Sequence, residues 1–317
     1  MAYKFLNTIG EQFAPGAKAI LETIGSVNYS IPPQDDLPAA LMDVDAAVVG
    51  LGLNFTREVL DVAPKLKVIA TATTGLDHID VAYAKEKGIE VLSLRGENDF
   101  LDTITGTAEL SLGLMIDLVR MTPWAFDEVK DYVWQREHFR GSSLYGKTLG
   151  VVGLGRLGKM MARYGAALSM RVLYADDAID NSEYEKVSLT KLLAESDVVS
   201  IHVHLLPETT NMIDAEALRQ MKPTAVLINT SRGKIVDEAS VLTALKNGTL
   251  AGYATDVLSD ELSFEKEGFH KHPLVEYAKE HRNLIIVPHI GGMTVDSRIA
   301  TDVFIAQKLK KFLERER

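Results

Sequence analysis

The sequence predicts an α/β protein of two domains, each a parallel sheet wrapped by helices. Three observations point there. A chain of 317 residues is long enough for two domains with sizeable cores. Short β-branched runs alternate with amphipathic stretches along its whole length, as in strands buried in a sheet and covered by helices. The alternation comes as two successive series, separated by two candidate long helices.

In the first series, Tyr3–Leu6, Ala46–Leu51, Leu66–Thr71 and Ile89–Leu92 read as strands, with helices at Phe13–Ile24 and Val81–Lys87. The separating helices are expected at Thr107–Arg120 and Pro123–Glu137, with Pro123 in a first turn where its missing N–H has no partner to lose. The second series places strands at Thr148–Val152, Arg171–Tyr174, Val198–Val203, Ala225–Ile228, Gly252–Thr255 and Leu284–Val287. Helices at Arg156–Leu168, Leu189–Glu195, Ala215–Met221 and Glu238–Asn247 lie between them. Val295–Leu313 closes the chain as one helix with apolar residues at helical spacing.

Composition narrows the function classes. No apolar run reaches the roughly 20 residues that span a bilayer, and the first residues lack a basic, then apolar, signal pattern. A chain without cysteine has no disulfide, thiolate nucleophile or Cys-ligated zinc, and a cytoplasmic setting is the default expectation. The formal charge of −10 repels phosphate backbones, so neither nucleic acid nor membrane is an expected partner.

The stretch Gly153-Leu154-Gly155-Arg156-Leu157-Gly158 follows a strand and opens a helix. Such glycines permit a tight turn, close approach of backbone N–H groups to a pyrophosphate, and close helix–strand packing. Eighteen residues after Gly158, at the end of the next strand, stands Asp176. A carboxylate there bonds both ribose hydroxyls of NAD and repels a 2′-phosphate, so NAD is expected rather than NADP. Asp177 adjoins it and can share or take that role.

Three further stretches stand at strand ends: Ile228–Gly233, Ala254–Val257 leading to Glu261, and Pro288–Gly292. Ligands of open α/β sheets bind beyond the carboxyl ends of strands, where these stretches converge. Their residue types suit reduction of a 2-keto acid. A guanidinium forks across adjacent carboxylate and carbonyl groups, an imidazole supplies the proton, and a carboxylate fixes its tautomer. Arg232, His289 and Glu261 fill these roles, with Asp260 adjoining the last. His202 and His204 share one strand face, which could suggest a metal, but no third ligand is evident and none is expected.

With these stretches in view, the sequence resembles the D-isomer-specific 2-hydroxyacid dehydrogenases, the group that includes phosphoglycerate dehydrogenase and glyoxylate/hydroxypyruvate reductase. The likeness rests on TTGLDHID (Thr73–Asp80), the helix from Thr107 to Arg120, Gly146–Gly158, Met221–Gly233, ATDV with Glu261, and PHIGG, in family order over nearly the whole chain. It implies Rossmann-like and flavodoxin-like parallel-sheet domains with an active-site cleft between them. Residues 1–102 plus 293–317 would form a discontinuous substrate domain, and 103–292 the NAD-binding Rossmann domain. It assigns Arg232 to substrate and His289 with Glu261 to acid/base work. Cofactor contacts are implied from Thr74, Gly153, Gly155, Arg156, Leu157, Gly158, Asp176, Thr230, Ser231, Asp256, Gly291 and Gly292, and substrate contacts from Thr74 and Gly75. A homodimer is implied as well, with Trp134 at the subunit interface, whereas Trp124 is read as packing. His202 is read as structural or near the cofactor, and His204 stands where the family usually has proline.

The chain departs from the family in two places. The loop Leu94–Gly106 is several residues longer than usual and carries Arg95, a candidate for holding a second anionic group on the substrate. Glu261 and His289 lie 28 residues apart, further than usual, and the intervening 262–282 segment, with His270, His272 and His281, reads as a surface excursion. Leu262 replaces the proline that usually follows the glutamate. The chain ends just past the last helix, so a regulatory domain and feedback by an amino acid are not expected. Formate dehydrogenase is a sister reading that Glu261 opposes, since glutamine partners the histidine there. An NAD-binding corepressor or a scaffold without turnover is the alternative of a different class.

Overall fold

The computed structural model describes residues 2–181, 183–264, 268–269 and 271–316, with the side chain of Leu262 excepted. His270 lies outside the described residues. The chain divides into two units. One comprises Met1–Ile104, Leu262–Gly268 and Met293–Arg317; the other comprises Thr105–Glu261 and Phe269–Gly292. The sequence reading changes domain at 102/103 and again at 292/293, and leaves 262–268 in the second domain. An excursion outside any strand carries no periodic signal that ties it to one core.

Among the described residues the first unit holds five strands, β1 (Tyr3–Asn7), β2 (Gly25–Asn28), β3 (Ala46–Val49), β4 (Val68–Thr71) and β5 (Glu90–Leu92). All pair in parallel, in the order β2-β1-β3-β4-β5, the flavodoxin-like arrangement. Successive side chains of a strand point to opposite faces, so β3 sends Ala47 and Val49 into one core and Ala46 and Val48 into the other. The first core is completed by Leu37, Leu41, Phe55 and Leu60, and the second by Phe13, Leu21 and the C-terminal helix Val295–Arg315. That helix inserts Ile305, Ala306, Leu309 and Leu313, all fully buried, which is why the end of the chain returns to the unit that holds its beginning.

The second unit holds β6 (Thr148–Val152), β7 (Arg171–Ala175), β8 (Glu185–Lys186), β9 (Val198–Ile201), β10 (Val226–Asn229), β11 (Gly252–Thr255) and β12 (Leu284–Ile286). They pair in parallel in the order β12-β11-β10-β9-β6-β7-β8. Strand order reverses between β6 and β9, the Rossmann-like switch point at which a ligand crevice opens beyond the carboxyl ends. Leu114, Met115 and Leu118 of the helix Gly106–Arg120 cover one face, packed on Leu149, Val151, Val226 and Ala254.

Several elements escape the sequence pattern. Strand β2 is the half-exposed edge strand GSVN, which has too little apolar character to announce itself. The helix expected at Pro123–Glu137 ends at Lys130, and a 3-10 turn follows at Arg136–Phe139. Trp124 packs on the core beneath, but Trp134 is 84% exposed. The long 94–106 loop contains a helical turn, Asn98–Leu101, and the 262–282 excursion contains the helix Pro273–Ala278. Among the described residues no helix is long and apolar enough to cross a membrane.

Candidate active site

Parallel pairing aligns the carboxyl ends of three neighbouring strands of the larger unit. Asn229 of β10 lies opposite Thr255 of β11, and Thr255 opposite Ile286 of β12. Arg232 and His289 each follow their aligned strand end by three residues, and Asp256 follows the strand between them. With about 4.8 Å between adjacent strands, the two chain segments are roughly 10 Å apart at the sheet edge. The register therefore brings the segments that carry Arg232 and His289 to one edge.

His289 adopts a left-handed backbone, φ 51°, uncommon for a residue with a Cβ. Its surroundings hold it there. The His289 amide donates to the Asp256 carbonyl at 2.8 Å, and the Asp256 carboxylate accepts from Ile290 N at 2.6 Å and Gly291 N at 2.8 Å. Burial pushes the Asp256 carboxyl up, while the two amides and the positive charge His289 can carry pull it down. Beyond this turn, His289 Nδ1 lies 2.8 Å from Glu261 Oε1, and the second oxygen of Glu261 accepts from Leu258 N at 3.2 Å. Nδ1 facing a carboxylate is the donor, and Nε2 is the ring nitrogen on the side away from Glu261. Of the adjoining pair Asp260 and Glu261, it is Glu261 that meets the imidazole.

The arginine loop is shaped by Asn229, to which the sequence reading gave no role. Its Oδ1 accepts from Ser231 N at 3.0 Å, and its Nδ2 donates to the Arg232 carbonyl at 3.0 Å, closing the turn from inside. Ser231 Oγ donates to the Ile201 carbonyl at 2.8 Å, and Thr230 Oγ1 shares a 2.7 Å hydrogen bond with Ser111 Oγ. Both hydroxyls thus brace the loop against neighbouring elements. One hydrogen bond of the Arg232 guanidinium goes back to the Ser231 carbonyl, at 2.9 Å.

At the switch point, the glycine loop leaves β6. Gly153 has φ 86°, and a Cβ there would stand 2.8 Å from the His202 carbonyl oxygen. A Cβ on Gly158 would fall 2.0 Å from the Gly153 carbonyl oxygen, so that glycine is what lets the helix Arg156–Ala167 start so close to the strand. A Cβ on Gly155 would meet nothing within 4 Å. The fold itself explains two of the glycines, and the third fits a loop whose N–H groups are approached by a pyrophosphate. Arg156 and Leu157 begin the helix behind it. Asp176, at the end of β7, turns its carboxylate onto this loop, accepting from Leu154 N at 2.8 Å and from Ala178 N and Ile179 N. Asp177 is exposed. This arrangement, a carboxylate beside a glycine turn at a helix start, fits NAD. Gly291 is buried against Asp256 and Thr107, and Gly292 is exposed after it.

Thr74, Gly75 and Arg95 belong to the smaller unit, beyond the carboxyl ends of β4 and β5. Thr73 Oγ1 donates to the Gly75 carbonyl at 2.7 Å, and Leu94 N donates to the Thr73 carbonyl at 3.0 Å, tying the two strand-end loops together.

Residues 112–291 match the family model described as "D-isomer specific 2-hydroxyacid dehydrogenase, NAD binding domain". The chain is similar to a D-3-phosphoglycerate dehydrogenase of Methanocaldococcus jannaschii, 34% identical over 304 residues that cover 94% of this chain and 55% of that protein. It is similar to a glyoxylate reductase of Thermococcus litoralis, 34% identical over 297 residues covering 90% and 85%. Among solved structures, that of a D-lactate dehydrogenase from Aquifex aeolicus complexed with NAD and lactic acid superimposes with a TM-score of 0.87 at 30% identity, covering 98% of this chain and 95% of that one. The chain spans about half the length of the phosphoglycerate dehydrogenases it matches.

His202 and His204 part company. His204 is exposed, whereas the His202 ring is enclosed beside the glycine turn. His202 Nε2 shares a 2.8 Å hydrogen bond with Ser200 Oγ, and its buried Nδ1 has no hydrogen-bond partner among the described residues. Burial lowers its pKa from 6.5 to about 4. The unfolded chain takes up this proton as pH falls below 6.5, and the folded chain does not until about 4. His202 therefore makes its full contribution above that window and loses it on acidification, by up to about 3 kcal/mol. Urea midpoints of the parent and of His202→Asn, measured at neutral pH and near pH 4.5, should diverge, the parent losing more. Parallel declines would show that this ring does not titrate as described.

Proposed function

Because this chain belongs to the D-isomer-specific 2-hydroxyacid dehydrogenase family, we propose that it interconverts a D-2-hydroxy acid and its 2-keto acid, using NAD, with Arg232 orienting the acid and His289–Glu261 handling the proton. The observation that carries this reading is the 2.8 Å contact between His289 Nδ1 and Glu261 Oε1 on the strand-end edge that also bears Arg232. Bound NAD supplies or accepts the hydride at the 2-carbon. Arg232 forks across the carboxylate and the neighbouring oxygen, turning the carbonyl carbon toward that hydride. His289 Nε2–H gives its proton to the oxygen as negative charge grows there and takes one back in the reverse direction. Glu261 holds the other ring proton on Nδ1, so that Nε2 is the nitrogen that gains and loses the mobile proton, and it stabilises the imidazolium. Thr230, Ser231, Asp256, Gly291, Gly292 and Thr74 are assigned to the cofactor side and Gly75 to the substrate.

The decisive experiment is a panel of 2-keto acids (glyoxylate, hydroxypyruvate, pyruvate, 2-ketoglutarate and phosphohydroxypyruvate) with NADH and then NADPH. The parent should turn over at least one with NADH preferred, because the Asp176 carboxylate opposes a 2′-phosphate. His289→Ala should lower kcat by about 10²–10⁴-fold while NADH binding, followed by fluorescence, persists. Turnover at the parental rate in that variant would overturn the acid/base assignment. An NAD-binding protein that reduces none of the panel would favour the corepressor or scaffold reading.

The smaller unit supports an assignment for Arg95. Lys308 Nζ donates to the Ser93 carbonyl at 2.9 Å and pairs with Glu97 at 2.5 Å, and Phe100 stacks on Phe304 with ring centroids 4.1 Å apart. Gly96, at φ 87°, completes a turn closed by Glu97 N on the Leu94 carbonyl at 3.1 Å, which leaves Arg95 at the exposed corner. Glu97 is engaged by Lys308, and no carboxylate among the described residues pairs with Arg95. Arg95 is assigned to a second anionic group of the substrate, a phosphate or a distal carboxylate. Arg95→Ala should cost roughly 10–100-fold more in kcat/KM with phosphohydroxypyruvate than with pyruvate, the worth of one charge-assisted hydrogen bond. Equal losses on both would end the assignment.

The proposed assembly is a homodimer. Phe126, Tyr132, Trp134 and Tyr145 are 64%, 98%, 84% and 79% exposed within one short stretch. Clustered exposed aromatics are the composition of an interface core. Sedimentation velocity should give a dimer for the parent and a shift toward monomer for Trp134→Glu. A monomeric parent would remove the dimer from the proposal.

A further inference from the structure

We propose that Glu238 is a positioning residue for the acid/base pair, clamping the turn that carries Glu261; the inference rests on the reading of His289–Glu261 given above. Glu238 opens the helix Glu238–Asn247, whose N-cap is Asp237, yet its carboxylate serves other segments. One oxygen, Oε1, accepts from Ser259 N at 2.8 Å, and Oε2 lies 3.4 Å from His272 Nε2. Both side chains are only 16% exposed. His272 is itself fixed as the N-cap of the helix Pro273–Ala278, its Nδ1 accepting from Leu274 N at 3.3 Å. A ring nitrogen that accepts from an amide is bare, so the proton sits on Nε2 and faces Glu238.

The peptide that Glu238 holds is shared by both halves of the site. Ser259 lies two residues before Glu261, in a turn closed by Glu261 N on the Leu258 carbonyl at 3.4 Å and by Leu258 N on Glu261 Oε2 at 3.2 Å. These two bonds tie Glu261 to the turn but do not tie the turn to the sheet. Gly233, next to Arg232, presses on the same peptide: a Cβ there would fall 2.1 Å from the Leu258 carbonyl carbon and 2.3 Å from Ser259 N. Glu238 thus supplies the outward anchor of the Leu258–Ser259 peptide, with the arginine loop on its other side. A second, half-buried histidine–carboxylate pair, His272–Glu238, holds in place the one that meets the reaction. The excursion after Glu261 acquires a purpose by this account, since it returns His272 to the clamp.

Misplacing a reacting group by about an ångström can cost up to about 10²-fold in rate. Glu238→Ala should therefore lower kcat about tenfold or more while KM and NADH affinity change little. Amide exchange of the peptide spanning 257–261, read by mass spectrometry without turnover, should quicken. Glu238→Gln keeps an oxygen for the Ser259 amide and should restore both readouts. Parental kcat with unchanged exchange in Glu238→Ala would overturn the clamp. So would a loss of NADH affinity and thermal stability in step with kcat that Gln does not rescue, which marks a general structural role. If the parent reduces no 2-keto acid, the functional reading fails, and the exchange comparison alone still decides whether Glu238 holds the turn.

Discussion

A buried carboxylate that gives both its oxygens to the backbone organises the larger unit's site. Asp256 leaves β11 and captures the Ile290 and Gly291 amides of the segment leaving β12, while its carbonyl takes the His289 amide. A left-handed backbone at a residue with a Cβ costs of order 1–3 kcal/mol and persists only where neighbours over-determine it. Three hydrogen bonds to one residue do so here. They hold the backbone that presents the His289 ring to Glu261.

Two carboxylates near one imidazole would compete for it unless their tasks were separated. Asp256 is saturated by amides, whereas Glu261 spends one oxygen on its own turn and offers the other to the ring. The separation is geometric, and it follows from sheet register. The aligned ends of β10, β11 and β12 set three loops side by side, and Asn229 folds the first so that Arg232 emerges at the same edge as His289. The first loop is braced by Asn229 of its own segment, and the third by Asp256 of the neighbouring one.

The smaller unit solves a different problem. Its long strand-end loop would be floppy if left to solvent, since a polar loop buries little. A buried leucine, an aromatic stack and a lysine reaching from the C-terminal helix hold it instead. The same helix closes one of the unit's two cores, so it packs against the sheet and also braces the strand-end loop.

Much of this was legible in the residues alone. Buried parallel strands read as β-branched runs, and the glycine loop, Asp176, Arg232, Glu261 and His289 sit in patterns whose chemistry requires those types at those spacings. Local information suffices there because each signal lies within one strand–turn–helix unit. What the sequence could not determine depends on contacts between distant segments. The edge strand β2 and the clamping roles of Asn229, Asp256 and Glu238 involve partners that only folding brings near. A carboxylate bonded to an amide 34 or 21 residues away leaves no periodicity behind. Sequence determined the family and which residue types stand at the strand ends, because residue type and local spacing encode both. Tertiary structure decided how that chemistry is held, because hydrogen bonds across loops are satisfied in space rather than along the chain.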